Sequence, residues 1–87
     1  MKVKTKTLNY TVLLQKEPEG GYTVTVPVLP GCVTYGKDLQ EAKKMAKEAI
    51  SLYIESLKAH NEDIPTEDDI FYTRLNIDTS TVRPSYV

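Results

Sequence analysis

Residues 20–42 read GGYTVTVPVLPGCVTYGKDLQEA, and this stretch decides the fold. Gly20-Gly21 follows Pro18-Glu19, so residues free to take positive φ sit just behind one whose ring fixes φ. That combination reverses the chain in a tight hairpin. Tyr22, Val24, Val26 and Val28 then alternate with Thr23, Thr25 and Pro27, the period of two expected of a strand with one buried face. Leu29-Pro30-Gly31-Cys32 turns a corner, and Val33-Thr34-Tyr35 is long enough for a short third strand before Gly36 releases the chain. Asp38 then offers an N-cap with Glu41 three positions on, the acidic counterpart of a capping box, which predicts a helix from Leu39.

Upstream, Leu8, Tyr10, Val12 and Leu14 share one side of a first strand over Tyr10–Leu14, with Asn9, Thr11 and Gln15 on the other. Leu13 alone interrupts that alternation. Downstream, Leu39, Ala42, Ala46, Ala49, Ile50, Tyr53 and Leu57 recur at helical spacing in a segment free of Gly and Pro as far as His60. Such a helix is about 30 Å long at ~1.5 Å per residue. Its alanines predict a close approach of helix to sheet, and Met45 and Leu52 widen the apolar face on one flank. Asn61 and Ile64-Pro65 mark its end, because the residue before proline avoids the α region. Phe71, Thr73, Leu75 and Ile77 alternate with Tyr72, Arg74 and Asn76, which predicts a fourth strand, whereas Thr79 to Val87 has no pattern. The expected order is β-β-β-α-β, an α+β fold in which one long helix covers an antiparallel sheet. Residues 1–78 are expected to form a single domain and 79–87 a C-terminal tail.

At 87 residues the chain is near the size at which one core is only marginally sufficient, which favours self-association as a homodimer or higher homo-oligomer. A hydrophobic fraction of 40% with 26% charged residues argues against disorder. There is no run of about 18 apolar residues to cross a bilayer. The basic opening MKVKTKTLNYTV has no apolar segment behind it, so a cytoplasmic location is expected. A lone Cys32 cannot form an internal disulfide, in keeping with a reducing compartment.

A net charge of −1 supplies no general attraction to nucleic acid, and direct DNA binding is not expected. Locally the charge is uneven: Lys2, Lys4 and Lys6 open the chain, and Glu62, Asp63, Glu67, Asp68 and Asp69 cluster after the helix. Lys43, Lys44 and Lys47 form a basic strip on the outer helix face, partly neutralised by Glu48. These basic groups are what an alternative reading, a stand-alone nucleic-acid-binding regulator, would use.

Little in the chain points to catalysis. Cys32 would need a base to act as a nucleophile, and the only histidine, His60, lies at the far end of the helix. A buried small hydrophobe at the corner is the simpler account of Cys32. One His and one Cys cannot build a structural zinc site, and the first two strands offer no converging carboxylates for metal-assisted phosphoryl chemistry. Gly20-Gly21 lacks the Lys-Ser/Thr that a phosphate loop needs. No enzymatic activity, metal or cofactor is expected.

As a whole pattern the chain resembles the HicB-type antitoxins, small prokaryotic proteins encoded beside a HicA-type toxin. The resemblance takes in the Tyr10–Leu14 strand, Glu19-Gly20-Gly21-Tyr22, Leu29-Pro30-Gly31-Cys32 and Tyr35-Gly36, and continues through Glu41-Ala42, Ala49-Ile50 and Leu57 to Ile64-Pro65. It departs from the family at Val26-Pro27-Val28, where many members have Phe-Pro-Asp, and it ends at Val87 without the C-terminal DNA-binding domain that many carry. The resemblance implies a truncated ribonuclease-H-like fold, for which an orphan hydrolase is the remotest alternative. It also implies a function: binding a HicA-type toxin, a small basic ribonuclease that cleaves messenger RNA, and occluding its active site. Candidate contacts with that partner are Tyr35, Glu62, Asp63, Glu67, Asp68 and Asp69.

Overall fold

A computed structural model describes residues 7–84. Lys2, Lys4 and Lys6 and the last three residues of the tail lie outside the described residues. Three strands, β1 (Leu13–Lys16), β2 (Tyr22–Thr25) and β3 (Val33–Gly36), form an antiparallel sheet in the order β1-β2-β3 and lead into one helix, α1 (Leu39–Ala59). The class is α+β, with the order β-β-β-α.

The first hairpin is closed by two hydrogen bonds, Glu17 N–H to the Gly21 carbonyl at 2.9 Å and Gly20 N–H to the Glu17 carbonyl at 3.0 Å. Gly20 and Gly21 take φ of 109° and 79°, a region that strains any residue with a Cβ. The second connection is more compact than the Tyr22–Val28 alternation predicts. The β2 ladder stops at Thr25, and two successive turns fold Val26–Cys32 onto the core, with Leu29 N–H donating to Val26 and Cys32 N–H to Leu29. Pro27 and Pro30 have no N–H to contribute to a ladder, and Gly31 at φ 81° completes the reversal.

Asp38 caps α1 as expected, accepting from Glu41 N–H at 2.7 Å, while the Glu41 carboxylate accepts from Lys37 N–H at 2.8 Å, one residue earlier than in a capping box. At the other end Asn61 adopts φ 55°, Glu62 N–H donates to Leu57 and Asn61 N–H to Lys58. That is a Schellman closure with asparagine in the left-handed position.

The core lies between helix and sheet in two adjoining clusters. Val24, Ala42 and Ala46 pack with Val12, Leu14 and Tyr22; Val26, Leu29 and Cys32 pack with Tyr10, Val12, Ala49, Ile50 and Tyr53. The buried alanines bring helix and sheet together so closely that a Cβ on Gly36 would overlap the Ala42 backbone. On the flank, Met45 is half-buried and Leu52 exposed.

Two expectations are corrected. The first strand forms its ladder at Leu13–Lys16 rather than Tyr10–Leu14. The side-chain alternation still begins at Leu8, but the partner strand has already turned away beyond Thr25, so Tyr10–Val12 has nothing to pair with. The fourth strand is not formed: residues 71–77 make no ladder and are exposed throughout. Its alternation is real, but an alternating segment becomes a strand only where a neighbour accepts its backbone groups. After Pro65 the chain is clamped to Thr11, turns at Asp68-Asp69 and leaves the sheet. The Cα radius of gyration, 17.6 Å, exceeds the roughly 12 Å of a compact chain of this length accordingly. Within the tail, Asp78 caps a single 3-10 turn, η1 (Thr79–Thr81), where no element is expected from the sequence; hydrogen bonds from Ser80 hold its carboxyl below the usual range.

Candidate protein-interaction surface

The helix covers one face of the sheet, and among the described residues nothing covers the other. The register aligns Leu13, Thr25 and Val33 in one cross-strand row and Gln15, Thr23 and Tyr35 in the next. Because side chains alternate between faces, both rows lie opposite the buried Val24. Leu13, Val33 and Tyr35 are each about half exposed there, at 52%, 56% and 51%.

Tyr35 is held rather than loose. Its hydroxyl donates to the Gly20 carbonyl at 2.9 Å, and its ring lies so close over the hairpin that a Cβ on Gly21 would overlap it. Thr23 donates to the Glu17 carboxylate at 2.7 Å and fixes the same end of the face. The result is a small face on which Tyr35, held in place and of a residue type enriched at contact hot spots, stands with Leu13 and Val33 around the central Thr23 and Thr25.

The acidic residues do not share one role. Glu67 is half-buried, and its carboxylate accepts from the Thr11 N–H at 2.5 Å and from the Thr11 hydroxyl at 2.7 Å. Asp68 accepts from the Thr66 hydroxyl at 3.1 Å. Glu62 and Asp63 are exposed just past the helix end, and Asp69 is exposed in the turn beyond. Tyr35 sits on β3, the opposite edge of the sheet from the Thr11–Glu67 clamp, two strand spacings of about 4.8 Å away. Acids and aromatic therefore belong to separate regions. Val33 and Leu13 escaped the sequence reading, although Leu13 carried a signal: an aliphatic residue on the polar phase of an otherwise regular strand.

The thiol and the imidazole lie in separate surroundings. Burial pushes the Cys32 thiol up from its ordinary value, away from the reactive thiolate. The helical residues packed on its cluster are Ala49, Ile50 and Tyr53, and the Tyr53 hydroxyl donates to the Pro30 carbonyl at 2.8 Å. His60 is two helical turns, about 10 Å, further along, with Nδ1 2.7 Å from the Ser56 carbonyl. The structure does not bring Cys32 and His60 together. Among the described residues no three of His, Cys, Asp and Glu are grouped to hold a metal, and no helix is long and apolar enough to cross a membrane.

This arrangement defines a class: a small α+β domain whose sheet is covered on one face and open on the other. The comparison with known proteins goes further. The family described as "HicB_like antitoxin of bacterial toxin-antitoxin system" matches residues 10–82, and the chain belongs to it. A UPF0150 protein of Thermoplasma acidophilum is 54% identical over 61 residues, 70% of this chain and 88% of that protein. A UPF0150 protein of Synechocystis is 52% identical over 69% of this chain and 76% of its own length. Antitoxin HicB of Escherichia coli is 36% identical over 58 residues, which cover 67% of this chain and 42% of that longer protein.

Proposed function

We propose that this chain is an antitoxin that binds a HicA-type toxin and occludes its messenger-RNA-cleaving site, without catalysing a reaction of its own. The observation that carries this reading is the bare, preorganised sheet face of Leu13, Val33 and Tyr35 on a chain that belongs to the HicB-like antitoxin family. Relatives that bear the name antitoxin HicB support it. Occlusion asks for a rigid surface with an apolar centre, and for charge that draws in a basic partner. The exposed Glu62, Asp63, Asp68 and Asp69 supply that charge, while Glu67 acts as the brace that holds their segment to the body. The complex forms in the cytoplasm, where such a toxin meets messenger RNA.

Association rates against the product of the neighbouring toxin gene, measured across a salt series, test this. Neutralising Glu62, Asp63, Asp68 and Asp69 to Asn or Gln is expected to slow association and flatten its salt dependence, because exposed charges act through a screening length of about 8 Å at physiological ionic strength. Tyr35→Ala is expected to accelerate dissociation instead. Unchanged rates in both variants would overturn the assignment of these surfaces.

A further inference from the structure

Residues 70–77 carry more exposed apolar surface than any other segment described. Ile70, Phe71, Tyr72, Leu75 and Ile77 are 41%, 90%, 52%, 78% and 65% exposed. A monomer rarely leaves so much contiguous apolar surface in water. Phe71, Thr73, Leu75 and Ile77 alternate with Tyr72, Arg74 and Asn76, so in extended form the segment is two-faced, with one face apolar.

The body has a matching vacancy. Among the described residues β1 is an edge strand, and the Glu17 N–H bond to Gly21 sets the phase of its ladder. Residues 13, 15 and 17 face β2, so the backbone groups of Leu14 and Lys16 point to the open edge. Beside that edge, under the helix, runs a shallow groove lined by Val12, Leu14, Ala46, Ile50 and the stems of Lys43 and Lys47. Its walls are apolar and its polar rim is basic, whereas the arm is bracketed by Asp68, Asp69 and Asp78.

We propose that two copies of this chain exchange their 70–77 arms: each arm adds as a fourth strand to the open β1 edge of the other copy and lays Phe71, Leu75 and Ile77 into its groove. The arm's own body does not receive it. The Glu67 clamp on Thr11 and the turn from Glu67 to Ile70, closed at 3.1 Å, carry the arm off the sheet. Exchange satisfies edge backbone groups that would otherwise invite uncontrolled pairing, in a closed twofold arrangement. The size is sufficient. Aromatic side chains bury on the order of 150–250 Å² each, so the groove-facing Phe71, Leu75 and Ile77 of two reciprocal arms, counted together with the groove surface they cover, reach the ~1,200 Å² of a stable interface. The proposal does not depend on the toxin, and its test uses this chain alone.

Sedimentation equilibrium of the full chain is expected to show a dimer. Phe71→Ser and Leu75→Asp are expected to weaken it by at least about tenfold each, as truncated interface anchors do, with the helix signal in circular dichroism unchanged because both residues lie outside the protomer core. In an equal mixture of isotope-labelled and unlabelled copies, filtered NMR is expected to show contacts from Phe71 and Leu75 of one copy to Leu14 and Ile50 of the other. A monomeric wild type, a dimer indifferent to both substitutions, or contacts found only within one copy would overturn the proposal. An arm that stays free in the homodimer and is ordered only when the toxin is added would overturn it too.

Discussion

Glu67 and Thr11, 56 positions apart, are joined by two hydrogen bonds, and one carboxylate takes both the backbone N–H and the hydroxyl. Next to this clamp the Tyr10 hydroxyl donates to the Pro65 carbonyl at 2.7 Å. Together they fasten the segment that follows the helix to the approach of the first strand, where no ladder exists to do it. Glu67→Gln keeps one acceptor and turns an amide N–H towards Thr11. Hydrogen bonds to charged groups contribute roughly 1.5–3 kcal/mol, so a loss of about 1–2 kcal/mol is expected, read as a lower urea midpoint at unchanged slope. An unchanged midpoint would show that the carboxylate's charge adds nothing to the clamp.

Gly36 and the hairpin glycines should respond differently to alanine. At Gly36 a Cβ meets the α1 backbone at Ala42, which cannot yield without lifting the helix, so about 3 kcal/mol or more is expected. Gly20 and Gly31 have nothing within 4 Å of an added Cβ, and only their positive φ opposes it. Alanine there is expected to cost about 1–2 kcal/mol. Thermal unfolding of the three variants orders them.

Cys32 is expected to resist alkylation in the native state and react readily in urea, because burial both shields the thiol and raises its pKa. Cys32→Ser should cost roughly 1–3 kcal/mol, by placing a hydroxyl in an apolar corner, and leave partner binding intact. A variant of unchanged stability that no longer bound would assign the thiol a role in binding.

Alkaline stability follows from the same burial. The Tyr10 hydroxyl is raised above its ordinary 10.0, first by burial and then by Glu67, and Cys32 above its ordinary 9.0 by burial. Both are acids whose neutral form the fold favours, so the unfolded chain releases these protons first. Their contribution is complete below the ordinary values and is lost as pH rises through the folded ones. Urea midpoints are expected to fall from about pH 9 upward, in the range where free thiols and then phenols ionise, and to fall less steeply in Tyr10→Phe. A Tyr10→Phe profile parallel to the wild type would contradict this.

Much of the fold was legible because local chemistry and tertiary packing agree. Asp38 and Glu41 at the helix start, Asn61 at its end, and the alanine stripe each have one good local solution, and the structure adopts it. Where the structure differs, the deciding partner is distant in sequence. Whether Tyr10–Val12 or residues 71–77 pair depends on a neighbour's backbone, and alternation reports faces, not neighbours. The candidate site was only partly legible for the same reason. Tyr35 could be found by type, but Glu67 looks like its acidic neighbours until its bond to Thr11 is known. Leu13 and Val33 become part of one face only through the register with Thr25.

Co-expressing this chain with the product of its neighbouring toxin gene, and following growth together with messenger-RNA integrity, tests whether it acts as an antitoxin. Growth arrest and cleavage are expected with the toxin alone, and rescue by the wild-type chain through a complex that co-purifies. Reduced rescue is expected from a Val33→Asp, Tyr35→Ala variant that is still folded. A toxin that remains active beside the folded wild-type chain, with no complex recovered, would contradict that role.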